Sequence, residues 1–84
     1  MNTIYVFFEI PSGRKIMYVN CDVKTIGPKL FEATTAEQLR DLADTHQPYA
    51  VDFADSRFPR KATPIEKVIQ TKMFEKYVRF NVHH

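Results

Sequence analysis

The chain has 84 residues, enough for one domain and no more. Twelve Lys and Arg against ten Asp and Glu give a net charge of +2, and 44% hydrophobic with 26% charged residues excludes compositional disorder. One cysteine excludes an internal disulfide scaffold, two glycines exclude a Gly-rich phosphate loop, and the longest wholly apolar run, Ile4 to Phe8, is far short of a membrane span.

A chain this small buries roughly 60–65% of its unfolded surface, which leaves little room for a deep catalytic cavity. The N-terminus, Met1-Asn2-Thr3, has no basic segment leading into an apolar one, so no secretory signal is expected. With a lone cysteine, this suits a reducing, cytoplasmic setting.

Thr3 to Ile10 alternates, with Ile4, Val6, Phe8 and Ile10 on one face and Tyr5, Phe7 and Glu9 on the other, which predicts a strand. Pro11-Ser12-Gly13-Arg14 predicts a turn with a left-handed glycine. Lys15 to Asp22 alternates Met17, Val19 and Cys21 against Ile16, Tyr18 and Asn20, completing a hairpin over residues 3–22. Its first strand is too hydrophobic to lie at a sheet edge, so it is placed centrally. Gly27-Pro28 marks a turn, and Lys29 to Ala33 reads as a short strand.

Thr34, with Glu37 three residues on, predicts a capped helix start, and Ala36, Leu39, Leu42 and Ala43 give its apolar stripe. Pro48 stops it near Thr45 or His46. Tyr49 to Ala54 reads as a strand with Val51 and Phe53 inward, and residues 55–62 as a polar, basic loop. Thr63-Pro64-Ile65-Glu66 predicts a second helix with Thr63 as cap and a stripe of Ile65, Val68, Ile69 and Met73. Tyr77 to Val82 alternates again and predicts a closing strand.

The expected fold is therefore α+β: a single small domain over residues 1–84, in the order β-β-(β)-α-β-α-β. Its antiparallel or mixed sheet of 4–5 strands would carry two helices on one face.

Charge is unevenly spread. Residues 1–56 hold five basic and eight acidic side chains, and residues 57–84 hold seven basic and two acidic. The sharpest cluster is Arg57-Phe58-Pro59-Arg60-Lys61, where cations bracket an aromatic in a predicted loop. The second candidate is the outer sheet face, with Tyr5, Phe7, Tyr18, Tyr77 and Arg79. Exposed aromatics beside an Arg suit a protein interface or base stacking. The glycine that a nucleic-acid-binding sheet of the RNP1 type requires is missing around Tyr77-Val78-Arg79-Phe80.

Catalytic patterns are weak. Cys21 with His46 matches no local motif, Asp52 and Asp55 fall on opposite strand faces, and Asp41 with Asp44 beside Arg40 reads as a solvated helix side. No cofactor and no metal is expected; His83-His84 at the terminus suits an adventitious ion or a tag remnant.

These features predict a non-enzymatic protein-binding module, a small inhibitor, adaptor or regulatory subunit that docks on a larger partner with an acidic surface. A phage- or plasmid-type accessory protein fits this size. The alternative is a nucleic-acid binder of low specificity, using the basic loop and the tyrosine-bearing face. No membrane partner is expected, and a homo-oligomer is compatible with an apolar outer face.

Overall fold

The computed structural model describes residues 3–21, 30–54, 58 and 61–81. Ile4–Glu9 (β1) and Ile16–Cys21 (β2) form the predicted antiparallel hairpin, with Tyr5 opposite Asn20 and Phe7 opposite Tyr18. Gly13 takes φ +79 in the turn, the left-handed conformation that a glycine adopts without a Cβ clash. Leu30–Ala33 (β3) pairs antiparallel with the other side of β1. β1 is thus interior, as its hydrophobicity demands.

Ala36–His46 (α1) follows, and its cap sits one residue later than the sequence spacing suggests. Thr35 is the N-cap: its hydroxyl accepts from the Gln38 amide at 3.2 Å, and Gln38 Oε1 accepts from the Thr35 amide at 3.3 Å. The same Gln38 oxygen accepts from the Thr34 amide at 2.6 Å. Gln38 thus takes the reciprocal role expected of Glu37, which instead lies exposed in the first turn, where its charge favours the helix dipole. The helix ends at His46, with Gln47 left-handed at φ 49 ahead of Pro48.

Ala50–Phe53 (β4) runs parallel to β2, and Thr63–Pro64 (β5) pairs antiparallel with β4. The mixed sheet has the order β3-β1-β2-β4-β5. Thr63 does not cap the second helix. Its hydroxyl donates to the Lys61 carbonyl at 3.4 Å, and the Ile65 amide donates to the Tyr49 carbonyl at 3.0 Å. The sheet therefore satisfies a helix-start amide that a capping side chain would otherwise take. Pro64, without an amide proton, is tolerated because β5 lies at the sheet edge.

The largest departure lies in the last third. Ile65–Gln70 (α2) is short, and Met73–Asn81 (α3) is a helix where alternation predicted a strand over 77–82. Both periods fit the sequence. Phe74, Tyr77, Val78 and Asn81 recur at i, i+3, i+4 and i+7, and all four are buried. A strand would have turned Phe80 inward; the helix leaves it 48% exposed. Lys72, at φ 55, breaks the two helices apart, and its amide donates to the Ile69 carbonyl at 3.2 Å, closing α2 in a Schellman-like turn.

The three helices among the described residues cover one sheet face. Leu39 and Ala43 of α1, Val68 of α2 and Phe74, Tyr77 and Val78 of α3 form one core with Ile4, Val6, Met17, Val19, Val51 and Phe53. Phe53 is its hub, with ring centroids 5.0 Å from Tyr77, 5.8 Å from Phe58 and 6.0 Å from Phe74. Among the described residues no helix is long and apolar enough to cross a membrane.

Candidate functional site

The structure divides the predicted site residues between places that the sequence had joined. Tyr5, Phe7 and Tyr18 do share the sheet face away from the helices, as alternation requires. Phe7 and Tyr18, directly opposite on β1 and β2, stack with centroids 4.8 Å apart and ring planes 12° from parallel. Phe7 is only 8% exposed, while Tyr5 and Tyr18 are half-buried. The stack therefore closes the centre of the face, and its rim is what solvent reaches.

Tyr77 and Arg79 do not join this face. Tyr77 is fully buried under the helices, because α3 turns it onto Phe53 and Phe58. Arg79 is exposed on the solvent side of α3. The charges that do share strand positions with the tyrosines are Glu32 beside Tyr5, Asp52 beside Tyr18 and Glu9 at the end of β1. The described strand positions of this face carry no Lys or Arg.

Of the predicted basic loop, Arg57 and Arg60 lie outside the described residues, and Lys61 is exposed. Phe58 is half-buried; its ring lies 5.0 Å from Tyr77 and 6.3 Å from Phe80, in edge contact with the latter. It packs against the core.

What Phe58 supports is a surface that the sequence reading missed. Lys72, in the turn just before α3, and Lys76 and Arg79, four and seven residues on within it, are all exposed, and half-exposed Phe80 lines the same depression. With Thr71 and Glu75 these four line an open depression of about 290 Å³. Glu75 is partly engaged elsewhere, through a 3.8 Å ion pair with Arg40 of α1. The signal for this surface was present in the spacing of the three cations. It becomes visible only when residues 73–81 are read with a helical period.

The weaker candidates separate as well. Cys21 ends β2, while the His46 ring stacks on Phe8 at 4.2 Å and meets Phe31 edge-on at 5.0 Å, which gives it a packing role. Asp52 is 8% exposed, and Asp55, His83 and His84 lie outside the described residues. Asp41 and Asp44 are exposed on α1. Among the described residues no three His, Cys, Asp or Glu side chains gather as a metal site would require. Comparison of the chain with protein-family models, with curated proteins and with solved structures finds no match.

Proposed function

We propose that the protein is a non-enzymatic docking module that binds an acidic surface of a larger protein partner, as a small inhibitor, adaptor or regulatory subunit. The observation that carries this reading is the outer side of α3 and the turn before it: Lys72, Lys76 and Arg79 around a half-exposed Phe80. An exposed aromatic set among cations suits an acidic patch with an apolar centre. The ring supplies contact area that excludes water, and the charges steer the encounter. Phe58 behind Phe80 limits the freedom that the ring loses on binding.

The nucleic-acid reading needs tyrosines and cations on one surface, bases stacking while phosphates are neutralised. Here the sheet tyrosines have acidic strand neighbours, and the cations of α3 lie on the helical side. That separation favours the protein partner.

The test is capture from lysate on the immobilised chain after nuclease treatment. The wild type is compared with the triple variant Lys72→Glu, Lys76→Glu, Arg79→Glu. A stoichiometric protein retained by the wild type and lost from the variant supports the reading. Retention that is equal in both, or that vanishes with nuclease, refutes it.

A further inference from the structure

We infer that the α3 surface also takes a second copy of this chain, which offers the outer face of its sheet, so that copies associate head to tail. This rests on reading Lys72, Lys76, Arg79 and Phe80 as a docking surface for an acidic patch with an apolar centre. The chain carries such a patch itself. The three helices among the described residues lie on one side of the sheet and leave its other side uncovered by them. The centre of that other side is the Phe7–Tyr18 stack, with Tyr5, Leu30 and Ile16 half-buried around it. Glu32, opposite Tyr5, and Glu9, opposite Ile16, are exposed at its margin. Residues directly opposite across paired strands share a face, so these groups stand on one side of the sheet.

Charge and size match across the contact. From Tyr5, beside Glu32, to Glu9 is about 14 Å along β1 at about 3.4 Å per residue. The cations from Lys72 to Arg79 cover on the order of 10 Å at about 1.5 Å per residue, and their long side chains reach further. Phe80 then comes within reach of the tyrosine rims, where the Arg79 guanidinium also suits a ring face. Like charges disfavour the other pairings. Two sheet faces would set Glu9 and Glu32 against carboxylates, and two α3 surfaces would set cations against cations.

The fold also dictates the form of the assembly. Phe74, Tyr77 and Val78 turn one side of α3 to the sheet, and Lys76 and Arg79 stand on its opposite side. The α3 surface and the outer sheet face therefore point in opposite directions, and two copies cannot make both contacts with each other. The contact is heterologous: it leaves one surface of each kind open, and association continues beyond a pair. One helix side on a sheet centre is a small contact, in the weak, transient class below about 1,200 Å². A dissociation constant of about 0.1–1 mM is expected. At about 10 µM the chain is then essentially monomeric, with α3 open to a larger partner; at about 1 mM copies compete for that surface.

The test is sedimentation equilibrium of the full chain from about 10 µM to about 1 mM. The weight-average mass should pass that of a dimer, and association should weaken several-fold between about 50 and about 200 mM salt. The sheet variant Glu9→Gln, Glu32→Gln and the α3 variant Lys72→Glu, Lys76→Glu, Arg79→Glu should each associate at least about tenfold more weakly. An equimolar mixture of the two should recover pairs of wild-type affinity and nothing larger, since each supplies one intact surface. That recovery also shows that both variants are folded. A wild type that is monomeric at about 1 mM, association that stops at a dimer, variants that associate like the wild type, or a mixture without pairs overturns the inference. A monomeric wild type that still captures a larger protein through α3 overturns this inference alone. Self-association without such capture overturns the larger-partner reading alone.

Discussion

Single residues in this protein show what a backbone conformation demands. Gly13 at φ +79 and Lys72 at φ 55 both lie in the left-handed region. Gly13 meets no steric penalty there, and a Cβ added at it would meet nothing within 4 Å. Lys72 carries a Cβ and bears a cost of about 1 kcal/mol. Two opposite substitutions follow from this. Gly13→Ala should destabilise by about 1 kcal/mol through backbone strain alone. Lys72→Gly should stabilise by up to about 1 kcal/mol, because glycine is the preferred residue just past a helix end. Urea unfolding midpoints with an unchanged slope would register both. The turn glycine was legible in the Pro-Ser-Gly-Arg run. The left-handed lysine was not, since nothing in a charged residue announces a helix break.

At the scale of elements, a capping box was legible at both helix starts, and the tertiary structure used one. At α1 the box forms at Thr35 and Gln38, beside the pair that the spacing favoured. Thr35→Ala should cost about 1 kcal/mol, and Thr63→Ala at the start of α2 much less, since Tyr49 already accepts the Ile65 amide. Thermal melts of the two variants would check the contrast; equal losses would mean that Thr63 caps after all. The hairpin, β4 and α1 were legible because each has one dominant period. Residues 77–82 support both a period of 2 and a period of 3.6 over so short a stretch. The choice fell to the helix because Phe74, Tyr77 and Val78 then reach the sheet together.

Across the whole molecule, the core is one layer between sheet and helices, joined through Phe53. An 84-residue domain has a stability on the order of 4–13 kcal/mol. Phe53→Ala, which removes a fully buried ring from contact with Phe58, Phe74 and Tyr77, should cost about 3–5 kcal/mol. That is a large share of the total. The variant should melt far below the wild type or be unfolded at 37 °C, as circular dichroism would show. Charge is also organised at this scale, with Lys72, Lys76 and Arg79 exposed at and just before α3, and Glu32 of β3 and Asp41 of α1 exposed elsewhere. Binding of an acidic protein partner through α3 should weaken several-fold between 50 and 200 mM salt, because exposed charges are screened over about 8–10 Å. Reversing Glu32 should leave it unchanged. Isothermal titration at the two salt concentrations, with the α3 triple variant and Glu32→Lys as a control away from it, checks this.

The amino-acid sequence by itself determined the α+β class, the hairpin, the interior place of its first strand and the inward faces of the strands and of α1. These follow from local periodicity and from the cost of leaving an apolar strand at an edge. Only the tertiary structure decided that the chain closes on a helix, that Tyr77 is core while Arg79 and Phe80 face solvent, and that β3 ends the described sheet beside α1. Those outcomes depend on which of two locally acceptable periods buries more apolar surface against the rest of the chain. That quantity is set by contacts distant in sequence, and no short window contains it.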